Sequence, residues 1–222
     1  MKTKHCSAAI LLHLSLLGVL ANCDAYAPAD ASDTAVEAEA NHPAAESSAI
    51  KAIRTAYTDA MQIKADTIAW QCPDDPVGGQ VHTRSQTGRL VWIEYSSGGE
   101  HGAVTWQALL QSNAVLFIMV AESSWTFDPG GARNPDGGEA TLDTAEQSRF
   151  YFQNGHLIQA LYKKASASSA KGELLDQRLA QTANQKLSDP AQPAAAAREV
   201  IRQVLQAYRG KEITKDWCGL NN

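Results

Sequence analysis

The sequence predicts an α+β domain, in which an antiparallel β-meander of about five to seven strands is packed by one N-terminal and two C-terminal helices. Apolar residues recur at helical spacing before residue 62 and again after residue 165, whereas residues 80–164 alternate with a period of two between turn residues. No helical segment separates these strands, as the crossovers of a parallel sheet would require. The order of helix, consecutive strands and helices therefore indicates an antiparallel sheet.

The first helix is predicted to begin near residue 48, because the potential caps Ser47 and Ser48 precede an apolar stripe. The stripe has helical spacing and consists of Ile50, Ile53, Tyr57 and Met61. A short strand is expected at residues 68–72, since Pro73 and a cluster of Asp, Pro and Gly residues follow it.

A central hairpin is predicted next. Residues 90–96 alternate between two faces, and residues 104–111 and 115–121 flank a short turn at Ser112 and Asn113. Because residues 115–120 are apolar at every position, we expect a helix to cover one side of this strand and another element the other side.

The clearest hairpin signal is the pair Asn154 and Gly155, which lies between residues 149–153 and 156–162 after a Gly- and Pro-containing loop at 128–138. Asn followed by Gly suits a type I′ turn, in which both central residues need positive φ. Beyond Ala165 two closing helices are expected. Leu174, Leu175 and Leu179 would lie on one, and the other, after Pro190 and Pro193, would carry Val200, Ile201, Val204, Leu205 and Tyr208.

The N-terminus has the layout of a signal peptide, which we assign to residues 1–22. Lys2 and Lys4 precede an uncharged, leucine-rich run at residues 8–21, which is short for a membrane span of about 20 apolar residues. Leu20, Ala21, Asn22 and Cys23 follow, and they resemble the lipobox of bacterial lipoproteins, although Asn22 stands where Gly, Ala or Ser is usual. The resemblance implies acylation of Cys23 and a membrane anchor through that lipid.

The cysteine count supports this interpretation. Cys6 lies in the signal peptide, so the exported chain has three cysteines, of which one must remain unpaired. If Cys23 takes the lipid, Cys72 and Cys218 form a single pair that can persist as a disulfide in an oxidising compartment. The predicted location is the periplasmic side of the bacterial cell envelope.

Composition divides the rest of the chain into two parts. Residues 23–47 are rich in Ala, Asp, Glu, Pro and Ser and predict a disordered acidic tether. Residues 48–222 predict a single globular domain. Without Lys2 and Lys4 the exported chain carries 17 basic and 24 acidic residues, and no basic stripe suggests a nucleic-acid partner.

Common catalytic motifs are absent from the sequence, which favours a non-catalytic protein without a cofactor. Glu100 and His101, on the Gly-rich loop at residues 96–102, are the candidate acid and base of a periplasmic hydrolase. The alternative is an ordinary hairpin loop with two solvated polar residues. Four scattered histidines outside the signal peptide give no metal-binding pattern.

The tryptophans offer a second kind of candidate site. Trp92, Trp106 and Trp125 fall in predicted strands, and an exposed subset of them would form a binding face, since aromatic residues are favoured at interfaces. Burial in the core is the alternative for each of them.

Residues 148–161 and the Gly-Gly-Glu-His-Gly loop resemble a group of small, uncharacterised proteobacterial envelope proteins with a strand meander flanked by helices. The function expected from these features is binding of another envelope or periplasmic protein, as an inhibitor or immunity factor. The alternatives are the hydrolase with Glu100 and His101 and a carrier of a small ligand or lipid.

Overall fold

A computed structural model describes residues 47–73, 76–210 and 218 of the chain. The predicted signal peptide, the lipidation site Cys23 and the tether up to residue 46 lie outside the described residues, as does Trp217.

The described domain consists of three α-helices and one eight-stranded antiparallel sheet, in which every strand lies beside its neighbours in the sequence. The helices are α1 Ser48–Met61, α2 Leu175–Gln181 and α3 Ala191–Gly210. The strands are β1 Asp66–Gln71, β2 Gly78–Gln86, β3 Arg89–Gly98, β4 Gly102–Gln111, β5 Ala114–Phe127, β6 Thr141–Gln153, β7 His156–Ser168 and β8 Gln185–Lys186. The α+β class and the antiparallel sheet are thus confirmed.

The sheet has eight strands rather than the five to seven expected. Strand β2 is mostly polar and contains two glycines, but it forms ladders with both β1 and β3, so backbone pairing compensates for weak strand propensity. Strand β8 is only two residues long and separates α2 from α3.

The chain does not become helical directly after Ala165, because β7 continues to Ser168. Ala165 and Ala167 have high helix propensity, but they are buried and pair with residues of β6. Leu174 precedes α2 as its N-cap instead of lying inside it. Tertiary pairing thus overrides the local preference of this Ala-rich segment.

Two tight turns fix the register of the long strands. Asn154 and Gly155 have φ values of 51° and 78°, and Ser112 and Asn113 have φ values of 50° and 68°. Both central residues of each turn are therefore left-handed, as a type I′ hairpin requires. These two predicted hairpins are confirmed.

Helix α3 covers one face of the sheet, in contact with β4, β5 and β7. The main core lies between them and contains fully buried residues from both layers. Its largest fully buried side chains from the sheet are Ile93, Tyr95, Ile118, Phe150 and Phe152, and α3 contributes Ile201 and Val204.

Helix α1 covers the opposite face, in contact with β4 and β6. Its Ile50 and Ile53 pack in a second core with the sheet residues Trp92, Leu109, Phe117 and Tyr151. Phe117 and Ile118 of β5 therefore point to opposite faces, each into a core that a helix covers. Both sides of this strand are covered, as expected, and the element on the second side is also a helix.

The start of α1 agrees with the cap residues in the sequence. The Ser47 side chain accepts a hydrogen bond from the backbone N–H of Ile50 at 3.3 Å, which satisfies one of the free donors of the first turn. In the described part of the chain, no helix is sufficiently long and apolar to cross a membrane.

Cys72 and Cys218 form the expected disulfide, with their Cα atoms 5.6 Å apart. Cys72 directly follows β1 and is buried at the edge of the main core. The bond links residues that are 146 positions apart in the sequence, and so ties the start of the sheet to the end of the chain.

Candidate functional site

The face of the sheet that carries α1 has two distinct regions. Alternation along β5 places Phe117 under α1, and it places Trp125 and Phe127 on the same face at the other end of the strand. Eight residues of extended chain separate Phe117 from Trp125, a distance of roughly 27 Å. The far end of this face is therefore well away from the α1 core.

An aromatic patch, formed by His101, Trp125 and Phe127, lies at that far end. The ring centroids of His101 and Trp125 are 4.6 Å apart, and those of Trp125 and Phe127 are 5.6 Å apart in an edge-on arrangement. Phe127 is 58% exposed, which is unusual for so large an apolar side chain. The indole N–H of Trp125 donates to the carbonyl oxygen of Glu100 at 3.1 Å. The structure thus brings together Glu100, His101 and Trp125, three of the residues singled out in the sequence.

Glu100 and His101 are exposed at the tip of the β3–β4 hairpin. Within the described part of the chain, neither side chain makes a hydrogen bond or an ion pair, and the His101 ring rests on Trp125. A cleft of about 500 Å³ lies beside this hairpin, but it is lined by the loop glycines, Trp106, Glu122 and other neighbours, not by Glu100 or His101. The two side chains are therefore on open surface and not in a pocket.

The other two candidate tryptophans lie elsewhere. Trp92 is buried under α1, with the Arg84 guanidinium 5.0 Å from its ring. Trp106 is partly buried on the opposite face, against the core under α3. Trp92, Trp106 and Trp125 thus do not share one binding face, because the strand alternation of β3 and β4 sends the first two to opposite sides of the sheet.

A second feature of the α1 face, which we call the α1 cleft, lies beside the helix. It has a volume of about 460 Å³ and combines apolar walls with polar and cationic side chains. It is lined by Ile53, Arg54, Tyr57, Thr58, Phe117, Met119, Gln147, Arg149 and Tyr151. Sequence reasoning missed this cleft, because its residues come from one helix and two strands that only the fold brings together.

One of the two arginines that line the cleft, Arg149, has a further cation beside it, Lys163, which lies on the neighbouring strand and outside the lining. Arg149 of β6 donates to the amide oxygens of Gln147 at 2.5 Å and Asn184 at 3.5 Å. Lys163 of β7 is diagonal to it, is only 9% exposed, and donates to the carbonyl oxygen of Leu179 at 2.9 Å. Burial, and then the charge of Arg149, lower the pKa of Lys163 below its usual value.

On the other side of the cleft, Tyr57 begins a chain of polar side chains across the sheet. Its hydroxyl donates to Gln107 Oε1 at 2.6 Å, and Gln107 Nε2 donates to Glu94 Oε2 at 2.6 Å. His82 follows with its Nε2 atom 3.8 Å from Glu94 Oε1, and its Nδ1 atom is 2.8 Å from the Thr67 hydroxyl. Burial, and then the negative charge of Glu94, raise the pKa of Tyr57, so this phenol stays a neutral donor.

The α3 face of the sheet carries a hydrogen-bonded carboxylate, that of Glu146, whose contribution to stability depends on pH. Glu146 accepts hydrogen bonds from Lys164 Nζ at 2.5 Å and from the Tyr162 hydroxyl at 2.9 Å. These two bonds lower the pKa of Glu146 below 4.5, whereas burial and Glu146 raise the pKa of Tyr162 to about 12. The Glu146 contribution to stability is therefore complete above pH 4.5 and is lost as the pH falls through the lowered pKa.

We expect Glu146→Gln to lower the free energy of unfolding at neutral pH by less than about 1 kcal/mol, because the ion pair is partly exposed to solvent. The difference from wild type should shrink at acidic pH, below the lowered pKa of Glu146, where the wild-type carboxyl is protonated as well. Urea unfolding at both pH values measures this. Glu139→Gln, at an exposed loop position, is the control and should show no such pH-dependent difference. If the free energies of unfolding of wild type and Glu146→Gln differed equally at both pH values, the lowered pKa of Glu146 would be contradicted.

Within the described residues, no group of three or more His, Cys, Asp or Glu side chains is placed to hold a metal ion. Comparisons with protein-family models, with curated proteins and with solved structures found no match. The aromatic patch and the α1 cleft are candidate functional sites of the described domain.

Proposed function

We propose that the chain is an exported lipoprotein of the bacterial cell envelope, acylated at Cys23, whose folded domain binds another envelope or periplasmic protein. It acts as a non-catalytic binding module, as an inhibitor or immunity factor does. The observation that carries the proposal is the aromatic patch, where Phe127 and Trp125 stand together at the open end of one sheet face. Clustered exposed aromatic residues are the typical centres of protein interfaces.

Trp125 of the patch is held in place by two hydrogen bonds, which favours tight binding. Trp125 belongs to β5, and its backbone N–H donates to the His101 carbonyl while its indole N–H donates to the Glu100 carbonyl. Both hydrogen bonds join β5 to the β3–β4 hairpin and hold the indole in place. A partner therefore need not order this side chain, and little conformational entropy is lost on binding.

The hydrolase alternative has less support in this geometry. A general acid and base must reach one substrate atom, but the exposed Glu100 and His101 line no cleft. In the binding proposal the same residues have a different role, because the Glu100 carbonyl orients Trp125 and the His101 ring extends the apolar surface.

The test is affinity capture from the native envelope, with the oxidised full chain as bait and with mass spectrometry to measure both stoichiometry and the mass of the bait. We expect one protein to be captured in near-stoichiometric amount by wild type. Phe127→Ser should reduce its affinity about tenfold or more, as loss of an interface centre does. The mass of the bait should include the lipid on Cys23.

Leu174→Ser is the matched control, because Leu174 is 59% exposed and Phe127 is 58% exposed. This variant should capture the partner as wild type does. Equal loss in both variants would point to nonspecific adsorption, and capture that is unaffected by Phe127→Ser would exclude the patch as the interface. Absence of any stoichiometric partner would contradict the binding function itself.

A further inference from the structure

Among the described residues, Arg149 of the α1 cleft and its neighbour Lys163 lack an anionic counterpart. In the part of the chain that the structure describes, Arg149 and Lys163 contact only neutral oxygens, those of Gln147, Asn184 and the Leu179 carbonyl. No carboxylate lies within ion-pair distance of either one there. Buried or half-buried cations in proteins are normally paired, because removal of charge from water is costly.

The two charges also act on each other. Lys163 lies opposite Gln147 in the β6–β7 ladder, one diagonal step from Arg149, and it is nearly inaccessible to solvent. Burial, and then the charge of Arg149, disfavour the charged form of Lys163. A negative group in the cleft would reduce this repulsion and gain charge-assisted hydrogen bonds from the guanidinium.

Arg149 has N–H donors that its described contacts do not use, and these can bind such a negative group. A guanidinium carries five N–H donors in a planar fork, and the described contacts of Arg149 use two of them. Two parallel N–H donors match the two oxygens of a carboxylate. The Tyr57 hydroxyl, the Thr58 hydroxyl and the Gln147 amide line the same cleft.

The remaining lining is apolar and aromatic apart from Arg54, whose guanidinium carbon lies 5.8 Å from the centroid of the Tyr151 ring. Phe117 and Tyr151 lie with ring centroids 4.9 Å apart, and Met119 and Ile53 complete the apolar lining. Tyr57 meets Phe117 edge-on at 5.4 Å. A cleft of about 460 Å³ falls in the size range of small-ligand sites, so an apolar body of limited size fits beside the guanidinium.

We infer that the α1 cleft binds a small carboxylic acid with an apolar, preferably aromatic, body. Its carboxylate is received by the Arg149 guanidinium, with Lys163 behind it, and its body lies against Phe117, Met119 and Tyr151. This site is separate from the aromatic patch and does not depend on the protein partner. The occupant is a free small molecule, because one helix and two strands bound the cleft and its volume of about 460 Å³ suits a small ligand.

The test uses the oxidised full chain with phenylpropionate as probe and phenylpropanamide as its uncharged analogue, and isothermal titration calorimetry to measure binding. The acid should bind saturably with a dissociation constant at or below the millimolar range, and the amide about tenfold or more weakly. Arg149→Gln should weaken binding of the acid about tenfold and remove its preference over the amide. The affinity of Arg149→Lys for the acid should lie between those of wild type and Arg149→Gln, since lysine keeps the charge without the planar fork.

Arg202→Gln is the matched control, because Arg202 lies exposed on α3 and is paired with Glu199, outside the residues that line the α1 cleft. It should bind the acid as wild type does. The urea unfolding midpoint of each variant is measured in parallel, so that loss of binding is not mistaken for loss of folding.

Equal binding of acid and amide, unchanged binding by Arg149→Gln, or no saturable binding of the acid would each overturn the inference. Inorganic phosphate that binds as tightly as the acid would also overturn it, since the site would then recognise charge without the apolar body. If the acid fails to bind and Arg149→Gln instead weakens capture of the protein partner, the cations belong to the protein interface and the small-molecule site is excluded.

Discussion

Replacement of both Cys72 and Cys218 by serine is expected to lower the free energy of unfolding by about 3–5 kcal/mol. The disulfide closes a loop spanning 146 positions. Closing a loop of this length lowers the conformational entropy of the unfolded chain and so stabilises the folded state. Cys72 also lies against the main core, so its loss affects packing where β1 ends.

Chemical denaturation of the full chain measures this effect. Either single serine variant should lose as much stability as the double variant, because one cysteine alone cannot form the bond. Reduced wild-type protein should match them, which separates the crosslink from the change of side chain. A wild-type protein with the same stability before and after reduction would show that the bond contributes nothing.

Ile118→Ala is expected to lower the free energy of unfolding by about 2–5 kcal/mol. Ile118 is fully buried at the centre of β5, between β4 and β6 and beneath α3, so truncation leaves a cavity in the main core. The surrounding strands are held in register by their ladders and can collapse only partly around the missing atoms.

The matched control is Ile158→Ala, the same substitution in β7, where the side chain is 40% exposed. It should cost less than about 1 kcal/mol, because solvent already occupies the space around it and only strand preference is lost. Urea unfolding of both variants gives the comparison. Equal losses in the two variants would mean that the β5 position is not the buried centre that the structure shows.

Much of the fold could be predicted from the sequence, because local signals determine it. The type I′ turn at Asn154 and Gly155 needs only two adjacent residues, and α1 needs only a cap and an apolar stripe. Strand β2 was harder, since Gly78, Gly79 and the polar residues after them have no strong strand preference. Its existence depends on two neighbouring ladders, which only the assembled sheet supplies.

The candidate sites, too, could be predicted only in part from the sequence. Glu100, His101 and Trp125 could be singled out, because a Gly-rich loop and a tryptophan are visible in the sequence itself. Their grouping with Phe127 follows from the β4–β5 ladder, which sets the end of β5 beside the β3–β4 hairpin. The α1 cleft was not predicted, because Arg54 and Arg149 are far apart in the sequence and no short pattern joins them.

Each strand of the sheet lies beside the strand that was synthesised just before it, so successive hairpins can pair as the chain is made. Helix α3, however, is synthesised after all the strands of the sheet, although it covers the main core. Until α3 arrives, Ile93, Tyr95, Ile118 and Phe150 form a continuous apolar surface open to other chains. The newly made protein is therefore most vulnerable to aggregation in the interval between completion of β7 and docking of α3.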